Sequence, residues 1–140
     1  MSDLQPRGAV ITFDGVERRL FWDFGVIEKI QEEYGGHPFY AIEAMYWDGE
    51  KDGHKYSFHQ AKPVLDLLFW LLNNEVDRQK FFEGKSDLKK YTREQIGYLV
   101  GMQNVAEYAR GIVESWKDCY SGGSADEDDE EPEDQKKKVK

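Results

Sequence analysis

One stretch of the chain, the run PVLDLLFWLLNNEV from Pro63 to Val76, is apolar on nearly all sides and constrains the fold most strongly. Apolar residues recur in it at intervals of three and four, as they do on the core-facing stripe of a helix. Leu67, Trp70 and Leu71 lie off that stripe, so the rest of the domain or a partner must cover most of this helix. The run is shorter than the about 20 apolar residues that a membrane span requires. It therefore predicts a buried central helix, with Pro63 in its first turn.

The segment before this helix carries the pattern of a β-hairpin followed by a second helix. Residues 9–13 and 16–22 are rich in β-branched and aromatic residues, and the Asp-Gly pair at 14–15 suits a two-residue turn. Asp23 stands at the N-cap position of a helix that we expect to end at Tyr34, before a Gly-Gly pair. The sequence thus predicts a small N-terminal hairpin and one amphipathic helix.

Three further segments are less regular. Pro38 predicts the start of a short helix that runs through Tyr46 or Trp47. Residues 48–55 are charged and contain two Asp-Gly pairs or Asp-containing turns, which predicts a solvent-exposed loop. Residues 77–91 hold no clean apolar period and predict a broken helix or an ordered loop.

The last helix is predicted to begin at Thr92, which forms the pattern of a capping box with Gln95. We expect this helix to reach Tyr120, a length of about 40 Å at 1.5 Å per residue. Glycine inside a helix costs up to about 1 kcal/mol relative to alanine, so the glycines at 97, 101 and 111 require a reason such as close packing. The predicted buried stripe consists of Tyr98, Met102, Val105, Ala109, Ile112 and Trp116.

From Ser121 onward the composition changes abruptly, and Val139 is the one large apolar residue in the segment. Such a segment cannot bury enough surface to fold, so we expect a disordered acidic and lysine-rich tail over 121–140. Its acidic residues outnumber its lysines, and it carries nearly half of the net charge of -9. The predicted fold is mainly α with a small N-terminal β-hairpin (α+β): one compact helical domain over 1–120, followed by the tail.

Charge and cysteine content exclude several classes of partner. A net charge of -9 disfavours nonspecific binding to nucleic acid and to anionic membranes, so we expect a protein partner, no nucleic acid and no membrane. Cys119 is the single cysteine, which excludes an internal disulfide and favours a reducing cytosol. The N-terminal residues lack the apolar run of a secretory signal. The sequence leaves the oligomeric state open, with self-association as one alternative.

The sequence contains no pattern of residues that predicts catalysis. His37, His54 and His59 lack the spacing of zinc ligands, and Cys119 has no His companion nearby in the chain. The carboxylates lie on helix faces or in charge runs, and a glycine-rich phosphate loop is absent. We therefore expect no catalytic site, no metal, no cofactor and no enzymatic activity.

Partner binding is the function class that remains, and two groups of residues are candidates for it. Four large aromatic residues exceed the needs of the core stripes, although core packing is the alternative explanation: Trp70, Phe81, Phe82 and Trp116. Acidic tail residues would attract a basic segment of a partner, or would simply favour solubility: Asp126, Asp128, Asp129 and Glu130.

The order of these segments resembles that of the small tail assembly chaperones of long-tailed bacteriophages. A hairpin and a helix ending in Tyr34-Gly35 precede a helix with the Leu-Leu-Trp-type run at 67–72, and the final helix begins with a Thr-x-Glu-x-Ile-Gly pattern at 92–97. The resemblance covers about residues 9–118. It departs from the usual spacing at 77–90, where this chain carries a longer insertion.

The resemblance implies a protein that is not an enzyme and that acts in the host cytoplasm. Such a chaperone binds the tape measure protein, keeps it soluble while tail tube protein subunits are recruited, and is absent from the finished tail. An alternative of another class is an acidic regulatory protein or nucleic-acid mimic that blocks a DNA-binding partner. A mimic requires acids patterned on a folded surface, whereas the densest acidic run here lies in the predicted tail, which favours the chaperone.

Overall fold

A computed structural model describes residues 8–120 of the protein, and the predicted tail, 121–140, lies outside them. Helices predominate in the described part, and the strands form two separate antiparallel pairs, which confirms a mainly α fold with a small N-terminal hairpin. The elements in chain order are β1 (Ala9–Phe13), β2 (Val16–Leu20), α1 (Phe24–Tyr34), α2 (Phe39–Ala44), β3 (Tyr46–Lys51), β4 (His54–His59), α3 (Ala61–Glu83), α4 (Arg93–Leu99) and α5 (Val105–Tyr120).

The first hairpin packs one of its faces into the core. Asp14 and Gly15 have φ values of 55° and 78°, the positive angles that the Asp-Gly pair predicts for a two-residue turn. Alternate residues of the strands point inward, and β1 lies against α5 while β2 lies against α3 and α5. The buried inward side chains are Ile11, Phe13, Arg18 and Leu20.

Helix α3 is the centre of the fold and contacts four other helices and the strand β2. The prediction that Pro63–Val76 is a buried helix is confirmed, but the helix is longer and ends at Glu83, with Gly84 as its C-cap at a φ of 86°. The turns beyond Val76 extend past the core, so they need no apolar period. The prediction for residues 77–91 was therefore wrong in its first part, which is regular helix, and holds for 84–91.

A single helix from Thr92 to Tyr120 was a wrong prediction. The capping box at Thr92 is present, but α4 ends at Leu99 and α5 begins only at Val105. Asn104 holds the connection: its Oδ1 accepts a hydrogen bond from the Gly101 N–H at 2.8 Å, and its Nδ2 donates to the Leu99 carbonyl at 3.1 Å. The side chain thus satisfies backbone groups that a continuous helix would have paired internally.

The interruption changes which side chains are buried. Tyr98 and Met102, predicted as part of the buried stripe, are 83% and 88% exposed. Gly111 in α5 has the close contact that we expected of a glycine in a helix, because a Cβ atom there would overlap the side chain of Ile11. The stripe is buried only further along α5, at Ala109, Ile112 and Trp116.

The predicted loop at 48–55 was also wrong, because this segment is the greater part of a second hairpin, β3–β4. Asp52 and Gly53 form its turn, with φ values of 53° and 80°. The preceding helix α2 ends at Ala44, short of the predicted end, because Tyr46 already belongs to β3. Both strands are mostly exposed, and the alternation of apolar and polar residues that marks a half-buried strand is confined to the short run from Tyr56 to Phe58.

A buried arginine fastens the first hairpin and the 84–91 segment to α3. Arg18 is 1% exposed, and its Nε donates to Glu75 Oε1 at 2.7 Å. Its two terminal nitrogens donate to the carbonyls of Leu72, at 2.8 Å, and Lys89, at 3.3 Å. Each group in this cluster has a partner, which is the condition under which a charge can be buried.

A second charged cluster ties three helices together around Asp66 of α3. Its carboxylate accepts hydrogen bonds from Tyr34 Oη of α1 at 2.8 Å, from Lys62 Nζ at 2.8 Å and from Arg93 Nε of α4 at 2.9 Å. Burial by itself raises the pKa of Asp66, but the hydrogen bonds from Lys62, Arg93 and Tyr34 outweigh it and hold that pKa below its ordinary value. Burial and the Asp66 carboxylate raise the pKa of Tyr34 to about 12.

Candidate partner-binding surfaces

The last turn of α3 carries two phenylalanines into solvent. Phe81 and Phe82 are 81% and 67% exposed, and their ring centroids lie 5.0 Å apart in an edge-to-face arrangement. The Arg78 guanidinium lies 5.1 Å from the centroid of the Phe82 ring and 4.2 Å from that of Phe21. We call these four residues the α3-end patch. Aromatic rings and arginine are the residue types that contribute most energy at the centres of protein interfaces.

The α3-end patch is held in place by an ion pair. Arg78 Nη1 lies 3.0 Å from Asp23 Oδ2, and Asp23 also accepts hydrogen bonds from the Val26 N–H and the Asn74 side chain, both at 3.0 Å. Burial alone raises the pKa of Asp23, but the hydrogen bonds from Asn74, Val26 and Arg78 lower it to a greater extent. One carboxylate therefore caps α1, as predicted, and also orients the arginine under the exposed rings.

Trp70 does not join this patch, although the sequence grouped it with the two phenylalanines. It precedes Phe81 by about three helical turns, roughly 17 Å along the α3 axis at 1.5 Å per residue. The indole is partly buried and lies edge-to-face with Tyr34 of α1, at a centroid distance of 6.5 Å. The structure thus places Trp70 at the contact between α1 and α3, and its role in partner binding stays a prediction.

Trp116 lies in the core but also forms part of a groove. Its indole is edge-to-face with Trp22 at 5.1 Å and stacked on Tyr120 at 4.9 Å, with an interplanar angle of 24°. The Trp22 Nε1–H donates to Ser115 Oγ at 2.7 Å, so both the ring and its polar atom are satisfied. These contacts explain the position of Trp116 by core packing, while one side of the ring borders the cavity described next.

This cavity, which we call the α1–α5 groove, has a volume of about 790 Å³. Helix α1 lines it with residues spaced three and four apart, which form one helical face: Phe24, Ile27, Glu28 and Gln31. Helix α5 lines it with Trp116, Cys119 and Tyr120, and the remaining wall is Trp22, His37 and Pro38. Five of these ten side chains are aromatic rings, including the imidazole, so the groove is an apolar trough between two helices.

The second hairpin exposes a third aromatic surface, which sequence reasoning missed. Trp47 pairs with Phe58 across the strands at a centroid distance of 4.8 Å, and Tyr56 stands opposite Gly49 on the same face. A Cβ atom at Gly49 would overlap the Trp47 indole, so this glycine makes room for the ring. We call Trp47, Tyr56 and Phe58 the β3–β4 aromatic face. The Asp-Gly turn and the alternate aromatic residues at 56 and 58 were the available signals.

The polar residues considered in the sequence have structural surroundings. His37 Nδ1 accepts a hydrogen bond from the Phe39 N–H at 3.0 Å, at the start of α2. Cys119 Sγ accepts one from the Trp22 N–H at 3.4 Å. Within residues 8–120, no three His, Cys, Asp or Glu side chains are arranged to hold a metal ion. In the same part of the chain, no helix has the length and hydropathy to cross a bilayer.

The predicted acidic contacts Asp126, Asp128, Asp129 and Glu130 lie outside the described residues. No protein-family model, no curated protein and no solved structure matches the chain significantly. The fold and its exposed surfaces are therefore the basis for a functional proposal, together with the motifs in the sequence.

Proposed function

We propose that the protein is a bacteriophage tail assembly chaperone that binds apolar segments of the tape measure protein in the host cytoplasm. The observation that carries the proposal is the amount of aromatic surface that the chain exposes in addition to its buried hydrophobic core. Monomeric proteins rarely expose large contiguous apolar patches, and such patches mark interaction sites. Seven of the exposed rings lie in three separate places, which are the α3-end patch, the α1–α5 groove and the β3–β4 aromatic face, whereas others such as Tyr98 lie outside them.

The role needs no catalytic group. A chaperone of this kind shields the apolar surface of its client, keeps the client soluble while tail tube protein subunits are recruited, and leaves before the tail is finished. Aromatic anchors supply affinity for a varied apolar sequence because they bury large area at low cost in side-chain entropy. The net charge of -9 favours solubility of the complex through repulsion between copies.

The test is co-expression with the tape measure protein and measurement of the client in the soluble fraction. The double substitution Phe81→Ser and Phe82→Ser removes the two most exposed rings of the α3-end patch. We expect it to abolish rescue of the client and to leave the circular dichroism spectrum unchanged, because both side chains project from the core.

A matched control is the double substitution Tyr98→Ser and Met102→Ser. These two side chains are as exposed as the phenylalanines but lie at the junction of α4 and α5, outside all three aromatic surfaces. We expect this variant to rescue the client as the parent protein does. Full rescue by the Phe81 and Phe82 variant would refute the assignment of client binding to the α3-end patch, and failure of the parent protein would refute the chaperone role.

A further inference from the structure

We propose that the α1–α5 groove is a docking site for an amphipathic α-helix that carries a lysine or arginine beside its apolar face. The proposal rests on the groove itself and does not depend on the identity of the client or on the α3-end patch. The shape, the polarity and the charge of the partner segment each follow from a separate property of the residues that line the groove.

The shape of the groove favours a helix as the occupant. Its α1 wall extends from Phe24 to Gln31, about 10 Å along the axis at 1.5 Å per residue, and its other wall is one face of α5. A trough between two helix faces accepts a third helix by the packing of ridges into grooves. An extended strand would need unpaired backbone groups along the walls, and the backbone of both helices is paired internally.

The lining favours an apolar face on that helix. Trp116 and Trp22 form the buried floor, and exposed rings stand on both rims, Phe24 on α1 and Tyr120 on α5. Phe24 is 85% exposed, which leaves a large ring with most of its surface in water. Covering such a ring with leucine-sized side chains removes apolar area from water, which is the main driving force of association.

The charge of the groove selects the flanking residues of the partner helix. Glu28 is the one acidic or basic residue among the described side chains that line the groove, apart from the imidazole of His37, and it is exposed. A cation on the partner would meet this carboxylate and would also be attracted by the faces of the aromatic rings. An acidic helix would meet the same carboxylate with repulsion, added to that of the net charge of -9.

The proposal is tested with two synthetic helical peptides of equal length and identical leucine positions. One has lysine at its polar positions and the other has glutamate. Each is titrated into the full-length protein, and binding is measured by calorimetry and by the intrinsic tryptophan fluorescence. We expect saturable binding of the lysine peptide alone.

A pair of charge-reversal variants locates the binding site. Glu28→Lys and Glu32→Lys alter the net charge of the chain equally, and both residues are exposed on α1, but only Glu28 lines the groove. We expect Glu28→Lys to weaken the lysine peptide about tenfold or more and Glu32→Lys to weaken it about twofold or less. Equal losses would show attraction to the whole acidic surface and would overturn the proposal, as would unchanged affinity in both variants.

The apolar part of the site is tested with Phe24→Ser against Tyr98→Ser. The two side chains are 85% and 83% exposed, so neither substitution removes core packing, and only Phe24 borders the groove. We expect the first to lower affinity for the lysine peptide at least about fivefold and the second to leave it unchanged. Equal affinities, or equal binding of the glutamate peptide, would refute the docking site even if the protein rescues the tape measure protein.

Discussion

The two hairpins have the same type of turn but differ in how far the rest of the domain buries their side chains. Both turns are Asp-Gly pairs with positive φ at both residues, and both strand pairs are antiparallel with a two-residue connection. The β1–β2 hairpin buries Phe13 between Tyr91 and Tyr108, at centroid distances of 5.3 and 5.2 Å. The β3–β4 hairpin pairs Trp47 with Phe58 and leaves both rings about half exposed.

The difference shows that the turn determines where a hairpin forms, while the side chains of the strands determine whether the domain covers it. A two-stranded hairpin alone is marginally stable in water. The first hairpin derives its stability from packing on α3 and α5. The second is joined to the domain mainly at its base, where the Gln60 N–H donates to the Met45 carbonyl at 2.7 Å, so its aromatic face is available to a partner.

The largest expected contrast between the hairpins is in the cost of removing an aromatic ring. Phe13→Ala should lower the free energy of unfolding by about 3 to 5 kcal/mol, because the ring is fully buried. Phe58→Ala removes one cross-strand contact on an exposed face and should cost about 1 kcal/mol or less. Urea denaturation of the two variants measures both values. Similar losses would mean that the second hairpin is covered in solution.

A smaller contrast compares the carboxylate of Asp66, which joins three helices of the core, with that of Asp48 on the second hairpin. Asp66→Asn should cost about 1.5 to 3 kcal/mol at neutral pH, because the carboxylate bonds to groups on three helices. Asp48→Asn should cost less than about 0.5 kcal/mol, because Asp48 is exposed on β3 and its carboxylate accepts a hydrogen bond from Ser57 of the same exposed hairpin.

The contribution of Asp66 to the free energy of unfolding should depend on pH. The pKa of Asp66 is lowered in the folded state, so its stabilisation is present above the unfolded pKa of about 3.9 and is lost as the pH falls through the folded value. The difference in unfolding free energy between the parent and Asp66→Asn should therefore shrink below about pH 4. A difference that stays constant down to pH 2 would contradict this role.

The subtlest contrast requires no substitution. Amide protons of β3 and β4 should exchange through local opening, at a free energy below that of global unfolding, because the hairpin has few buried contacts. Those of β1 and β2 that pair within the core should exchange only with global unfolding. Native-state hydrogen exchange at increasing denaturant separates the two. Exchange of both hairpins at the same free energy would break the distinction between a covered and an uncovered hairpin.

Local signals were sufficient for much of the fold. The cap at Asp23, the capping box at Thr92 and the first Asp-Gly turn each act over three or four residues, so the sequence contains the whole interaction. The central helix was recognisable because its apolar residues face the core on most sides. Its extension to Glu83 was not, because the overhanging turns carry no pattern that burial imposes.

Long-range contacts set the limit of sequence reasoning. Arg18 can be buried because Glu75, 57 residues away, accepts its hydrogen bond. No pattern in the sequence predicts that these two residues are partners. The α1–α5 groove combines residues of two helices separated by most of the domain, so only Trp116 among its aromatic lining was a candidate. The second hairpin was missed for a different reason, since its turn was visible but its exposed strands resemble a loop in composition.

The absence of a side chain at Gly111 influences the width of the α1–α5 groove, although Gly111 does not line that groove. Ile11 of β1 seats into α5 at this point, so the glycine sets how closely the helix approaches the hairpin. Trp116 follows Gly111 by five residues in α5, and its indole contacts that of Trp22, which lies just beyond β2. The two indoles form the floor of the α1–α5 groove. A methyl group at position 111 would push α5 away from the hairpin or tilt it. The width of the groove would then change although none of its lining residues had been substituted.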